Sequence, residues 1–337
     1  MSTQHTPTSD PAPPGDRTPD TAPPSGARGR VIRRRALIGT GAALLGTGGI
    51  SATWAYDRFL REKVQVSDVS AAESTAGPTA EAALATDGSF TSTGYTSSTT
   101  TLTLSSTATG SGSEALAWYA ATVEITDATV LRAAFARDEV GQNITELPSA
   151  IAARHGAVMA INGDYYGFRD DGIIIRNGVV YRDEPAREGL VLYRDGRIEV
   201  YDETATSGEE LLADGAWNTL SFGPAVLVDG AVPAGVEDVE IDTNFGNHSI
   251  QGEQPRTAIG VIGDNHLVLL VVDGRSEGYS RGVGLTELGE ILADLGCTTG
   301  YNLDGGGSSV MIVDGEIITQ PSNGGERETS DILYVAG

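Results

Sequence analysis

The densest group of residues with chemical potential lies at positions 301–310. A short apolar segment ends there in a carboxylate, three glycines and two hydroxyl side chains follow, and a second apolar segment begins. Glycines lack a Cβ, so a ligand can approach the backbone closely and successive N–H groups can converge on an anion. A plain turn between strands needs one or two glycines and no carboxylate. The pattern predicts a functional loop formed by Asn302, Asp304, Gly305, Gly306, Gly307, Ser308 and Ser309.

A second motif, Asn162-Gly163-Asp164-Tyr165-Tyr166-Gly167, follows the apolar run Val158–Ile161 directly. Aromatic faces stack on apolar sugar faces and amides bond hydroxyl groups, so these residue types at the end of a strand suit a sugar-binding rim. A glycine-bearing turn with two core tyrosines would have the same sequence. Taken alone, the motif indicates either.

Two arginines are placed at strand ends by the next pair of motifs. Arg256 and Thr257 open one predicted strand, and Asp273, Gly274 and Arg275 follow the next one. If the two strands form a hairpin, the guanidinium groups lie close together and can clamp a phosphate or a carboxylate. Two surface salt bridges are the alternative. Glu326 and Arg327, near the C-terminus, are by themselves typical of a solvated loop.

The elements that must position these residues are mainly short strands. Apolar runs of strand length recur after residue 157, and Asn177-Gly178, Asp195-Gly196, Asp229-Gly230 and Asp314-Gly315 separate several of them as hairpin turns. Thr99–Leu104 predicts an earlier strand. Helices are expected only at about residues 145–155 and over Leu285–Leu295, where the leucines share one helix face. The fold class is therefore α+β, with mixed or antiparallel sheets and a few flanking helices.

The N-terminal quarter of the chain is predicted to deliver the rest. Residues 1–35 resemble a disordered cytoplasmic tail that ends in arginines, and residues 36–56 carry no charge over about the ~20 residues that a membrane-spanning helix needs. This segment is either a transmembrane anchor or a twin-arginine-like signal. Residues 57–87 are predicted as a flexible stalk and residues 88–337 as a single catalytic domain, extracytoplasmic and either membrane-anchored or secreted.

Charge and cysteine content exclude several classes of function. The chain has 46 acidic and 22 basic side chains, a net charge of −24, and the whole excess lies in residues 88–337. Nucleic acid is excluded as a main partner, because binding a phosphate backbone requires a basic surface. One cysteine, Cys297, allows neither an intrachain disulfide nor a cysteine-based zinc site. No cofactor is expected, although the acidic surface is compatible with a structural Ca²⁺.

The motifs occur in an order that resembles the phosphodiester glycosidase family, which includes the mannose 6-phosphate uncovering enzyme of animals and bacterial exopolysaccharide-related proteins. The resemblance extends from about Gly156 to the C-terminus and rests on residues 162–167, 255–260, 272–275, 302–309 and 326–331. It implies an exported hydrolase that cleaves a sugar 1-phosphodiester, similar to an N-acetylglucosamine 1-phosphodiester, at the anomeric C–O bond. Cell-wall or exopolysaccharide phosphodiesters would be its substrates, and the N-terminal segment would associate it with the membrane.

The resemblance also implies roles for individual residues. Asp304 would be the nucleophile or the base for water, with Asp164, Asp273 and Glu326 as candidates for a second carboxylate. Positive charge would stabilise the departing phosphate. The implied substrate-binding residues are Asn162, Gly163, Tyr165, Arg256, Thr257, Arg275, Asn302, Gly305, Gly306, Gly307, Ser308, Ser309 and Arg327.

Two other functions fit parts of the sequence. A non-catalytic module that binds cell-wall glycans would keep the aromatic and hydroxyl side chains, but it would not need Asp304 together with two arginines. A nucleotidase with a phosphate-binding glycine loop is less favoured, because the lysine and the helix start of a P-loop are absent from residues 301–310.

Overall fold

The structure is a computed structural model that describes Tyr56 and residues 60–75, 85–241 and 249–337. In these ranges the first ten strands are β1 (Lys63–Val66), β2 (Ser89–Thr91), β3 (Gly94–Thr96), β4 (Thr100–Thr109), β5 (Leu116–Ile125), β6 (Leu131–Phe135), β7 (Val140–Gln142), β8 (Ala157–Asn162), β9 (Gly172–Arg176) and β10 (Val179–Glu184). The other ten are β11 (Glu188–Tyr193), β12 (Ile198–Asp202), β13 (Ala216–Leu220), β14 (Ala225–Leu227), β15 (Arg256–Gly263), β16 (His266–Val272), β17 (Thr299–Asn302), β18 (Met311–Val313), β19 (Glu316–Ile317) and β20 (Asp331–Ala336). The α-helices are α1 (Val69–Thr75), α2 (Pro148–Arg154), α3 (Gly208–Ala213) and α4 (Leu285–Asp294).

The described strands form two large sheets and three small ones. The larger sheet has eight strands in the order β14-β17-β15-β16-β5-β4-β3-β2, and the second has five in the order β19-β18-β8-β20-β6. Three-stranded β12-β11-β13 and the pairs β10-β9 and β1-β7 complete the set. Every pairing between the named strands is antiparallel. The prediction of mostly antiparallel sheets with few helices is therefore confirmed, and of the two predicted sheet types the described strands form the antiparallel one.

Strand β16 is apolar at nearly every position because both of its faces are buried. Successive side chains of a strand point to opposite faces. Leu267, Leu269 and Val271 enter the main core, which they share with side chains of the five-stranded sheet. Val268, Leu270 and Val272 enter a second core, where the apolar face of α4 covers the sheet.

Three of the four predicted hairpin turns join paired strands, and Asp229-Gly230 is closed by an isolated bridge between Val228 and Ala231. Asn177-Gly178 joins β9 to β10, Asp195-Gly196 joins β11 to β12, and Asp314-Gly315 joins β18 to β19. In the first and last of these turns both central residues have positive φ, 49° and 76° at Asn177 and Gly178, which is the conformation that Asn-Gly and Asp-Gly favour. Both predicted helices also occur, as α2 and α4.

The stalk prediction is wrong for part of its length. Strand β1 pairs with β7, and α1 packs Val69, with 8% of its surface exposed, against the core beside Val140. Backbone pairing and apolar burial hold the described part of this stretch against the rest of the fold. The predicted tail, residues 1–35, and the membrane segment up to Ala55 lie outside the described residues. No helix within the described ranges is long and apolar enough to cross a membrane.

Candidate active site

A cleft of about 320 Å³ opens where the ends of β15 and β17 meet the segment after β8. Several chain segments that are far apart in sequence contribute to its walls, and the volume is in the range of small-ligand pockets. The described lining residues are Tyr165, Arg169, Phe222, Ser249, Ile250, Gln254, Arg256, Arg275, Leu303, Asp304, Gly305, Gly306, Gly307 and Arg327.

The cleft is strongly cationic in an otherwise acidic protein. Its described lining includes four guanidinium groups, from Arg169, Arg256, Arg275 and Arg327, and one carboxylate, from Asp304. The chain as a whole has a net charge of −24. Such a local excess of positive charge in a concave, partly dry site attracts anions. The arrangement can therefore hold a phosphate with a carboxylate beside it.

The Asp304 side chain is 16% exposed and is held by two groups. Ser308 Oγ donates to Asp304 Oδ2 at 2.6 Å, and Arg327 Nη2 lies 3.4 Å from the same oxygen. Arg327 also donates to Ser308 Oγ. Burial raises the pKa of Asp304, while the charges of Arg327 and Arg169 and the Ser308 hydrogen bond oppose that rise. The carboxylate is thus oriented by its neighbours, with its pKa above the ordinary aspartate range.

One buried amide connects the two large sheets directly behind Asp304. Asn162 Nδ2 donates to the Asp304 carbonyl oxygen at 2.7 Å, and Asn162 Oδ1 accepts from Thr257 Oγ1 at 2.7 Å. Asn302 is equally buried and donates to the Gly223 carbonyl at 2.8 Å. Asn162, Thr257 and Asn302 were predicted to bind substrate, but their side chains are fully buried and do not line the cleft. They position the backbone instead.

The three glycines line the cleft, and each allows a neighbouring group to approach its backbone closely. Gly306 N–H donates to the Pro255 carbonyl at 2.8 Å, and Ser308 N–H and Ser309 N–H close the turn on the carbonyls of Gly305 and Gly306. These N–H groups are therefore not free to converge on an anion. Cβ atoms would instead meet the Pro255 carbonyl at Gly305, the Arg275 guanidinium at Gly306 and the Asn323 amide at Gly307. The glycines allow neighbouring groups to pack against the turn.

Arg256 and Arg275 come together as the hairpin prediction requires. Strand β15 pairs with β16 so that Arg256 lies opposite Val272, and both arginines line the cleft. Arg256 is 2% exposed and donates to the carbonyls of Val283, at 3.0 Å, and Gly252, at 2.8 Å. Burial, and then the charge of Arg275, lowers the pKa of Arg256 to about 10 although Glu237 opposes the effect.

One wall of the cleft is aromatic. The ring of Tyr165 stacks on Phe168 with 4.7 Å between centroids, and the guanidinium of Arg169 lies 4.9 Å from the centroid of Phe222 and 5.4 Å from that of Tyr165. Arg169 is 5% exposed and donates to the Ser221 carbonyl at 3.1 Å. The second tyrosine of the motif, Tyr166, is a core residue. Aromatic faces at the cleft suit the apolar face of a sugar.

A buried ion triad lies beneath the site. Arg176 Nη2 lies 2.9 Å from Asp331 Oδ2 and 3.1 Å from Asp164 Oδ2, and all three side chains are essentially inaccessible. Asp164 also accepts from the Tyr166 and Ser221 backbone N–H groups. Burial, with the nearby charge of Asp164, raises the pKa of Asp331 to about 7 despite Arg176. A Cβ on Gly163 would strike this Asp331 carboxylate.

The three candidates for a second carboxylate do not line the cleft. Asp164 belongs to the triad just described. Asp273, 1% exposed, accepts from Tyr279 Oη at 2.8 Å and Gln320 N–H at 3.0 Å. Glu326 accepts from Ser149 N–H at 3.0 Å and from the Ser149 hydroxyl. Each carboxylate is bonded to the protein elsewhere, so the structure does not bring these three residues into the cleft with Asp304. Gly163 and Ser309 also lie behind the lining.

Sequence reasoning missed six lining residues, which are Arg169, Phe222, Ser249, Ile250, Gln254 and Leu303. Sequence signals were available for three of them, since Arg169 lies two residues after the aromatic motif, Gln254 precedes Pro255-Arg256 and Leu303 precedes Asp304. Phe222, Ser249 and Ile250 follow no recognisable pattern. No group of three or more His, Cys, Asp or Glu residues in the described ranges could hold a metal ion. The structural Ca²⁺ stays a prediction.

Comparison with known proteins gives a consistent result. The family model described as phosphodiester glycosidase matches residues 155–336. The chain is 32% identical over 205 residues to the SPbeta prophage-derived uncharacterized protein YomE of Bacillus subtilis, an alignment that covers 58% of this chain and 30% of that protein. It is 28% identical over 189 residues to the N-acetylglucosamine-1-phosphodiester alpha-N-acetylglucosaminidase of Bos taurus, covering 56% of this chain and 32% of that one.

The chain thus spans about a third of the length of these two curated relatives. Among solved structures, the fold is similar to the catalytic domain of the zebrafish N-acetylglucosamine-1-phosphodiester alpha-N-acetylglucosaminidase, auto-inhibited by its pro-peptide. The TM-score is 0.57 with 21% identity, over 74% of this chain and 88% of that domain. At this identity the likeness concerns the fold alone.

Proposed function

This chain belongs to the phosphodiester glycosidase family, and we propose that it hydrolyses a sugar 1-phosphodiester at the anomeric C–O bond. The products would be the free sugar and a phosphomonoester. The observation that carries the proposal is the cationic cleft, in which Asp304 lies among four arginines and beside an aromatic wall.

The four arginines support binding of the phosphate. Arg256 is buried with its pKa lowered, so its charge is incompletely compensated by the protein. A phosphodiester anion in the cleft would compensate it. Charge that develops on the leaving phosphate is stabilised by the same fixed guanidinium groups, without reorganisation during the reaction.

One carboxylate is sufficient for this chemistry. Ordinary glycosidases pair a general acid with a second carboxylate, because an alkoxide is a poor leaving group. A phosphate leaves as a stable anion whose second pKa is roughly 6, so it needs little protonation. Asp304 is the one carboxylate among the described lining residues, which agrees with this simpler requirement.

Asp304 would attack the anomeric carbon or remove a proton from the attacking water. Both roles need the ionised carboxylate. Because burial raises the pKa of Asp304, activity should fall on the acid side at a pH above the ordinary aspartate range. Arg327 and Ser308, which share its Oδ2, orient the reactive oxygens.

We also infer an extracytoplasmic location and cell-wall or exopolysaccharide phosphodiesters as substrates. The support is in the sequence, where the arginines before residue 36 and the uncharged stretch 36–56 resemble an anchor or export signal. The acidic balance of residues 88–337 suits a solvated, exported surface.

The test uses the full chain with UDP-N-acetylglucosamine as a surrogate diester, followed by ³¹P NMR. In H₂¹⁸O we expect free N-acetylglucosamine and UDP whose β-phosphorus signal lacks the ¹⁸O shift, because C–O cleavage adds the water oxygen to the sugar whereas attack at the β-phosphorus would add it to UDP. The variant Asp304→Asn should lose about 10²–10⁴ in rate, as for loss of a general base. Asp314→Asn is the matched control, since Asp314 is an exposed turn residue with φ of 51°, which Asn also adopts.

The alternatives give different spectra. UMP and sugar 1-phosphate would mean attack at phosphorus, the nucleotidase reaction. Binding without turnover of this compound and of a panel of wall-derived diesters would identify a glycan-binding module. Equal rates in Asp304→Asn and the wild type would refute the role of Asp304.

A further inference from the structure

A second cavity of about 440 Å³ adjoins the cleft, and Arg275 lines both. Its described walls are Ser276, next to Arg275, and residues 319–322, 324 and 325. The volume is in the range of pockets that take small molecules. Arg275 itself has a left-handed backbone conformation, with φ of 57°, and donates from Nη2 to Gln254 Oε1 at 3.1 Å. A group bound to Arg275 can therefore face either cavity.

The second cavity has a different chemistry from the cleft. Its described walls carry hydroxyls of Ser276, Thr319 and Ser322, an amide from Gln320, and no charge other than Arg275. Pro321 is its one apolar side chain, and no aromatic ring lines these walls. Ser322 Oγ is buried with no hydrogen-bond partner in the described part of the chain. Neutral groups that both donate and accept suit the hydroxyls of a bound polyol or sugar.

Asp273 makes the cavity rigid, which accounts for a carboxylate that the cleft does not use. Its Oδ2 accepts from Tyr279 Oη at 2.8 Å on one side and from Gln320 N–H at 3.0 Å on the other. The loop after β16 and the segment after β19 are thereby joined, and both contribute walls. Asn323, in the second segment, also packs against Gly307 of the cleft.

We propose that this second cavity binds the alcohol side of the diester, and that this alcohol carries hydroxyl groups, as a polyol or a sugar does. The inference rests on the proposed hydrolase function. A diester has two substituents that leave the phosphate in different directions, so each needs its own space. With the phosphate on Arg275, the glycosyl group occupies the aromatic cleft and the alcohol occupies the cavity of Ser276 and residues 319–325.

The test compares methyl, propyl, glyceryl and hexosyl diesters of one sugar 1-phosphate on the full chain. We expect kcat/KM to favour the glyceryl or the hexosyl diester over the propyl one by about tenfold or more, because a site built for hydroxyls rejects an analogue that lacks them. The glyceryl and hexosyl arms distinguish a polyol from a sugar, and a preference for either supports the proposal.

Two variants address the cavity directly. Gly325→Phe adds a side chain where a Cβ meets open space, and Ser322→Ala removes the unpartnered hydroxyl. Each should reduce the hydroxyl-to-propyl ratio by about fivefold or more. Gly263→Phe is the control, since Gly263 ends strand β15 beside the turn to β16 and a Cβ there also meets open space. If the wild type and all variants hydrolyse every diester with the same hydroxyl-to-propyl ratio of kcat/KM, the assignment of the second cavity is overturned and the proposed function is not. Hydrolysis of none refutes the proposed function, and this inference with it.

Discussion

Replacing the buried guanidinium of Arg256 should weaken anion binding strongly while changing the free energy of unfolding little. Lowering the pKa of Arg256 to about 10 corresponds to about 3 kcal/mol against its charged form, at roughly 1.4 kcal/mol for each pKa unit. Arg256→Gln removes that cost. It also deprives the Val283 and Gly252 carbonyls of donors, and a carbonyl left without a partner costs about 1–3 kcal/mol. The two effects nearly cancel, so we expect the free energy of unfolding to change by less than about 2 kcal/mol.

Anion binding should respond very differently. If Arg256 compensates its buried charge with the substrate phosphate, its loss should lower kcat/KM by about 10²–10³, the usual effect of removing one electrostatic stabiliser. A ligand that binds only the folded state raises stability according to its concentration and Kd. Urea unfolding with and without inorganic phosphate therefore reports binding, even without a substrate. The wild type should gain stability from phosphate, and Arg256→Gln should gain little.

Arg182 supplies a matched control. It is also a buried arginine, 9% exposed, which donates to two backbone carbonyls, of Tyr166 and Asp171, and whose pKa is lowered by burial, but it does not line the cleft. Arg182→Gln should change stability by a similar amount and keep the full response to phosphate. An equal phosphate response in both variants would refute the reasoning, as would a loss of more than about 4 kcal/mol in Arg256→Gln alone.

Three further outcomes follow from single sites. Burial raises the pKa of Asp331 to about 7, so the folded protein holds this proton more tightly than the unfolded chain does, and stability should fall as pH rises from about 4 to about 7. Asp331→Asn should flatten that slope in urea titrations, and an unchanged slope would contradict the assignment. Gly306→Ala should lower the free energy of unfolding by about 1–2 kcal/mol, because φ is 62° there, and it should weaken stabilisation by phosphate because the new Cβ displaces Arg275. Gly315→Ala is the control: with φ of 76° and open space around it, it should lose a similar free energy and keep the full response to phosphate. Burial also raises the pKa of the Cys297 thiol to about 12. Thiol reagents at pH 8 should therefore label Cys297 in urea but not in the native protein. Rapid labelling of the native protein would show that the thiol is exposed.

The features that were predicted correctly from the sequence are those that depend on residues close together in the chain. The Asn-Gly and Asp-Gly turns define hairpins by their own conformational preferences, and the hairpin of β15 and β16 then brings Arg256 towards Arg275. Asp304 lies in the cleft because the glycine turn directly follows its strand. These relations involve residues close in sequence or joined by one hairpin.

Long-range partners could not be predicted in this way. A carboxylate after an apolar strand has the same sequence pattern whether it faces a cleft or another loop, so the sequence could not show that Asp273 and Asp164 are bonded outside the cleft. Asp331 and Arg176 are 155 positions apart, and nothing in either local sequence indicates the other. Phe222 joins the aromatic wall only because Arg169 lies between its ring and Tyr165.

The position of β20 between β8 and β6 determines when the protein can finish folding. Residues 331–336 supply the middle strand of the five-stranded sheet, while Asp331 at its start completes the ion triad. Strands β6 and β8 come long before β20 in the chain, so their pairing with it joins residues that are far apart in sequence. Such non-local pairing is slow, and open strand edges invite association with other chains. The five-stranded sheet and the ion triad beneath the cleft therefore depend on residues 331–336.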